Sequence, residues 1–115
     1  MDKILVVDYF NREDLCTHIE IINGIVTFTN YTEEPLDRAF GNQVEVNLDS
    51  FNDFLEGRCL PKTRANIKRA LKNLDVDHFD AYAICRKTHG VLWEDFNWIR
   101  FNNEDLCWND VKLRD

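Results

Sequence analysis

Three histidines, four cysteines and a scatter of carboxylates are the side chains of this sequence that could turn over a substrate or hold a metal. Their spacing assembles no recognisable machine. His18, His78 and His89 form neither H-x-x-x-H nor H-E-x-x-H, the spacings that put two imidazoles on one helix face. Cys16, Cys59, Cys85 and Cys107 include no C-x-x-C and no His at ligand spacing. The glycines at 24, 41, 57 and 90 fall singly, so neither a dinucleotide fingerprint nor a phosphate-binding loop is present. The nearest approach to a metal set is Asp75, Asp77, His78 and Asp80. The same residues also read as a turn entering a helix, with carboxylates at its positive end. His18 lies in an expected strand, where packing competes with an acid–base or ligand role, and His89 beside Gly90 suits a helix C-terminus. A Cys–His pair brought together by folding is the enzymatic alternative. The expectation is a protein without catalytic residues, metal or cofactor, which works by binding another macromolecule.

Charge is the remaining source of specificity, and it is unevenly spread. The net charge is −7, but residues 1–57 carry −9, residues 58–72 carry +6 and residues 73–115 carry −4. Two opposite binding chemistries follow. Lys62, Arg64, Lys68, Arg69 and Lys72 line one segment, with Arg64, Lys68 and Lys72 one helical turn apart, as a helix meeting nucleic-acid phosphates requires. The plainer reading is a solvated helix face that offsets the acidic half. Asp8, Glu13, Asp14, Glu33, Glu34 and Asp37 fall in or beside expected loops. Such an acidic surface complements a basic protein groove or simply confers solubility. The acidic partner-binding face is expected at Glu33, Glu34 and Asp37.

The elements that must position these charges begin with sheet. Lys3–Tyr9 reads as a buried strand. His18–Ile22 and Ile25–Thr29 flank Asn23-Gly24, the dipeptide that best tolerates the two positive φ angles of a tight hairpin. Residues 30–41 read as loop, with one helical turn conceivable at Leu36–Phe40, and Val44–Leu48 alternates as a further strand. Helical spacing then takes over. Asp49 or Ser50 caps a helix whose Phe51, Phe54 and Leu55 share a face, ended by Gly57. Pro61 opens a second, burying Ile67, Ala70, Leu71 and Leu74. A third runs from about His78 to Lys87, burying Phe79, Tyr82 and Ala83, with Gly90 beyond its end. Phe96–Phe101 reads as a closing strand, and Leu106, Trp108, Val111 and Leu113 as a docking tail. The fold class is therefore α+β: an N-terminal antiparallel sheet with a hairpin, a small three-helix segment and a closing strand.

The 115 residues suit a single domain, 1–115, and 44% apolar residues with 14 aromatics supply its core. No apolar run approaches a membrane span, and the short stretch Ile4–Val7, interrupted by Asp8, is not a signal peptide. A cytoplasmic location, with the cysteines as small buried hydrophobes, is the expectation.

One resemblance narrows the field. Phe51, Phe54, Leu55, Arg58, Pro61, Arg64 and Ile67, then Gly90, then Asp95, Trp98 and Ile99, follow the pattern F-x-x-F/W-L-x-x-R-x-x-P-x-x-R-x-x-I, Gly, D-x-x-W-I. This resembles a module found beside or at the front of HipA-like kinases in Firmicutes and their mobile elements. The likeness covers residues 51–101; the first 48 residues carry none. It implies an accessory or regulatory segment, because the kinase's phosphate-binding loop, catalytic Asp and metal ligands have no counterpart here. Arg58, Pro61, Arg64, Gly90, Asp95 and Trp98 also have a structural reading, with Arg58 or Arg64 pairing to Asp95 or Glu56. The functional expectation is a small non-enzymatic protein-binding regulator of a bacterial or phage mobile element. Its partner is a kinase or a nucleic-acid-handling effector, the latter in the manner of an anti-CRISPR inhibitor with an acidic, nucleic-acid-mimicking face. The alternative is a DNA- or RNA-binding regulator using the basic helix of residues 62–73.

Overall fold

Strands β1 (Ile4–Asn11), β2 (Asp14–Ile22) and β3 (Ile25–Asn30) follow one another as antiparallel hairpins in the computed structural model, which describes residues 4–59, 67–77, 79–92 and 95–112. Strand β4 (Asn97–Phe101) returns antiparallel beside β1, so the sheet order is β3-β2-β1-β4. Among the described residues four helices join it: α1 (Leu48–Gly57), α2 (Ile67–Asn73), α3 (Ala81–Thr88) and the short α4 (Trp108–Val111). The protein is α+β, with the hairpin strands first and the closing strand last. Among the described residues no helix is long and apolar enough to cross a membrane.

The Asn23-Gly24 turn takes φ of 51° and 84°, the two positive angles that a two-residue hairpin turn requires. A second tight turn at Arg12-Glu13, with Arg12 at φ 54°, joins β1 to β2. Period-two alternation sends Val7, Tyr9, Ile19, Ile21 and Val26 to one face, where they meet Phe51 and Leu55 of α1, Leu71 of α2, and Ile84 and Cys85 of α3. Among the described residues the other face is covered at one end. There Phe10 and Trp98, stacked at 4.7 Å, pack with Val91 and Trp108. The expected docking tail is thus present through Val111, while Leu113 lies outside the described residues.

Three expectations about the elements need correction. Val44–Leu48 is not a strand. Asn47 accepts the Ser50 N–H at 3.0 Å, and Ser50 Oγ accepts the Asn47 N–H in return, so this capping box commits Leu48 to α1. What remains is too short to pair, and Val44 is left exposed. The cap of α1 is accordingly Asn47, not Asp49 or Ser50. Finally, α3 starts at Ala81 because Asp80 caps it through the N–H groups of Tyr82 and Ala83. That start turns Ala81, Ile84 and Cys85 inward and leaves Tyr82 exposed. Helix α2 does bury Leu71, with Ile67, Ala70 and Leu74 half-buried; Pro61 lies outside the described residues.

One side chain ties these layers together. Arg58, buried at the end of α1, holds Asp95 through two hydrogen bonds of 2.8 and 2.9 Å. Its Nε donates to the Gly90 carbonyl at 2.9 Å, and Nη2 donates to the Asn97 carbonyl at 2.9 Å. Burial is the largest single effect and works against the charge on both partners, but their mutual hydrogen bonds and the nearby charges together outweigh it: Arg58 is held above its ordinary value and Asp95 below. The expected Arg58–Asp95 pairing is therefore seen, whereas Arg64 lies outside the described residues.

Gly90 shows how tight this junction is. Its φ is +63°, and an added Cβ would stand 2.7 Å from Ile99 Cδ1 and 3.3 Å from Arg58 Cβ. Gly41 has a similar φ of +57° but open space around it. Gly90→Ala is expected to lose roughly 2–4 kcal/mol of stability in urea unfolding, from strain plus overpacking. Gly41→Ala is expected to lose about 1 kcal/mol, from strain alone. Equal losses would show that the junction yields.

Candidate functional site

Three acidic residues of the first half, Glu13, Asp14 and Asp37, line one cleft. Two separate turns build it, the β1–β2 turn and the loop after β3. It has a volume of about 570 Å³ and is lined by Asn11, Glu13, Asp14, Leu15, Cys16, Tyr31, Thr32 and Asp37. No Lys or Arg lines it among the described residues. The first turn is pinned from β4: Arg12 N–H donates to Phe96 O at 2.8 Å, and the Trp98 indole donates to Arg12 O. The second wall is pinned to β2, since Tyr31 N–H donates to Cys16 O at 2.7 Å and Ala39 N–H to Thr17 Oγ1 at 3.1 Å. Arg38 closes its own loop by donating to Thr32 O at 2.7 Å.

Asp37 is the hinge of the site. It ends a 3-10 turn, Pro35–Asp37, and its Oδ1 accepts from Asn11 Nδ2 at 3.2 Å and Asn97 Nδ2 at 3.4 Å. Half-buried, it serves both structure and charge. Glu33 and Glu34 are exposed beside it; Glu34 also accepts the Leu36 N–H at 3.2 Å. Tyr31 contributes an aromatic ring that is 60% exposed. Cys16 offers little as a nucleophile, because burial first, and then neighbouring Asp37 and Asp14, push its thiol up.

Other sequence-derived candidates fall elsewhere. Asp8 lies within β1, as the expected strand Lys3–Tyr9 has it, and is buried in the sheet instead of projecting to solvent. Lys68, Arg69 and Lys72 are exposed on α2, but Lys68 and Lys72 share a shallow hollow with Asp75 and Asp77. Lys62, Arg64 and His78 lie outside the described residues. Among those described, no group of three or more His, Cys, Asp or Glu could hold a metal ion. His89 takes the left-handed position at the end of α3, φ 57°, and donates its N–H to Cys85 O at 2.7 Å. Trp98 and Gly90 belong to the packing described above.

The uncovered part of the outer sheet face carries a polar row that spacing alone did not reveal. Cross-strand register sets Thr29, His18, Asp8 and Arg100 side by side. Asp8 accepts from Arg100 at 2.8 Å and lies 2.6 Å from His18 Nδ1, while His18 Nε2 is 3.3 Å from Glu20. The hydrogen bond to Asp8 leads, with Glu20 adding to it, in raising the His18 pKa. This is a charge-balanced cross-strand network of the kind that orders a sheet surface.

No family model matches the chain, and no curated protein or solved structure is similar to it. Its role must come from the sites themselves.

The His18 network has a measurable signature. Because the folded pKa is raised, its contribution to stability is complete below the unfolded value of about 6.5. It fades as pH rises through the folded pKa. The stability difference between the natural chain and His18→Gln is therefore expected to shrink from pH 6 towards pH 9, roughly, and to stay under about 1 kcal/mol for so exposed a ring. NMR titration should place the imidazole above the ordinary histidine value in the natural chain, and lower in Glu20→Gln. An imidazole titrating at or below that value would remove the network's role.

Proposed function

We propose that this chain is a small non-enzymatic regulator that acts by occupying a basic surface of another protein, and that the acidic cleft is its binding site. One observation carries the reading. Glu13 of the β1–β2 turn, Asp14 at the start of β2 and Asp37 of the loop after β3 share a single concave surface, with Glu33 and Glu34 exposed beside it. Like charges gathered in a concave site focus potential and attract a complementary partner. Tyr31 supplies the exposed ring that interface centres favour, at small cost in side-chain freedom. The partner chemistry is a Lys/Arg-rich groove, the surface by which a nucleic-acid-handling effector holds its phosphates. In this role the protein belongs to a bacterial or phage mobile element and regulates its partner, either a kinase or, in the manner of an anti-CRISPR inhibitor, a nucleic-acid-handling effector. The resemblance of residues 51–101 to the module of HipA-like kinases supports the kinase-directed form.

Nucleic acid is the second reading, favoured by the exposure of Lys68, Arg69 and Lys72 on α2. Asp75 and Asp77 beside that helix weaken it, as does the net charge of −7.

Capture from bacterial lysate separates the two when done with and without nuclease at about 50 and 200 mM salt. The expected result is a basic protein partner, retained after nuclease treatment and weakened by salt. Neutralising the cleft (Glu13→Gln, Asp14→Asn, Glu33→Gln, Glu34→Gln) should weaken it by about tenfold or more. Lys68→Glu with Lys72→Glu should leave it unchanged. Nuclease-sensitive retention that the lysine changes abolish would overturn the proposal.

A further inference from the structure

Two thiols, one just beyond α1 and one on α3, face each other in the core. Cys59 follows the cap of α1, Cys85 sits in the second turn of α3, and their sulfurs are 3.6 Å apart. The other two cysteines stand elsewhere: Cys16 is buried against the Asp14 carbonyl, and Cys107 is exposed at the start of α4. Backbone carbonyls orient both members of the pair, Ala81 O lying 3.6 Å from Cys59 Sγ and Leu55 O lying 3.5 Å from Cys85 Sγ.

Their surroundings differ in a way that orders a reaction. Cys85 is fully buried, whereas Cys59 keeps 8% of its surface in solvent. The two thiols are in hydrogen-bond contact, with either sulfur able to donate; that contact lowers the Cys59 pKa and, with burial, raises the pKa of Cys85. The accessible sulfur is thus the one better able to become a thiolate, the form that reacts with oxidants. A disulfide needs a sulfur–sulfur distance of about 2.05 Å, so the two must close by about 1.5 Å, within reach of small side-chain rotations.

We infer that Cys59 and Cys85 form a site of reversible modification, closing to an intramolecular disulfide under a hydroperoxide oxidant. Cys59 releases its proton and the thiolate attacks an oxygen of hydrogen peroxide; an S–O bond forms, the O–O bond breaks, and the departing hydroxide takes up that proton as water. Cys85 then gives up its proton and attacks the Cys59 sulfenic sulfur. The S–S bond forms, the S–O bond breaks, and the departing hydroxide takes that proton as a second water. Two thiols lose two electrons and the peroxide is reduced. The bond joins α1 to α3 and brackets residues 60–84, the stretch that contains α2 with Lys68, Arg69 and Lys72. This inference is independent of the cleft's role.

The test uses the full chain with Cys107→Ser, which removes the exposed thiol and its intermolecular chemistry. The folded protein is treated with hydrogen peroxide, quenched, denatured without reductant in excess alkylating agent, and analysed by intact mass and peptide mapping. The expected product has lost two alkylatable thiols, is lighter than the reduced chain by about 2 Da before alkylation, and yields a Cys59–Cys85 linked peptide that a dithiol reverses. Adding Cys85→Ser should abolish the link and leave a Cys59 sulfenic acid that dimedone traps. Should that variant fail to fold, the linked peptide from the parent decides alone. Both thiols remaining alkylatable, or Cys59 reaching sulfinic acid while Cys85 stays free, would overturn the inference.

Discussion

The Arg58 guanidinium is the constraint on which the rest of the structure depends. A buried cation is tolerated only when its donors are used, and Arg58 spends them on the Asp95 carboxylate and on two backbone carbonyls, Gly90 and Asn97. Those acceptors belong to three parts of the chain: the end of α3, the approach to β4, and β4 itself. One side chain at the end of α1 therefore fixes where the helical layer stops and the closing strand starts. Because the fork is planar, it fixes angle as well as distance, which a lysine would not.

The same junction reaches the cleft. Asn97, whose carbonyl Arg58 holds, also donates its side-chain amide to Asp37, and Asn11 on β1 donates to the same oxygen. Phe96 O and the Trp98 indole, on either side of Asn97, hold the Arg12 turn that presents Glu13 and Asp14. The acidic walls are positioned by β4, a strand placed by Arg58 more than thirty residues away in sequence. Charge on a rigid support gives selectivity that charge on free loops does not, since the partner meets an ordered surface. Arg58, Gly90, Asp95 and Trp98 spend their polar contacts inside the chain, and the cleft lies outside residues 51–101.

The parts of the fold that were legible in the sequence are those governed by local chemistry. Asn23-Gly24 specifies its hairpin through backbone freedom, and the Phe51/Phe54/Leu55 spacing specifies α1 through periodicity. The Arg12-Glu13 turn carries no Gly or Asn, so it leaves no local mark; it exists because β1 and β2 pair along their lengths. Val44–Leu48 misleads for the converse reason, a short alternation overridden by the Asn47 cap. Of the candidate site, the acidic residues were legible as loop charges, but their convergence was not. Asp37 is held at the cleft by long-range hydrogen bonds from Asn11 and Asn97, and the Cys59–Cys85 contact spans 26 positions. Such contacts depend on tertiary packing rather than on any motif.

The central claim, that the cleft is where a basic partner binds, is open to a direct measurement. Amide NMR spectra would be recorded while an arginine-rich peptide of about ten residues is added at low salt, then with salt restored. The account predicts shifts concentrated on Asn11–Cys16, Tyr31, Thr32 and Asp37, which disappear as salt rises. Shifts spread evenly over all exposed carboxylates, or centred on another face, would contradict it.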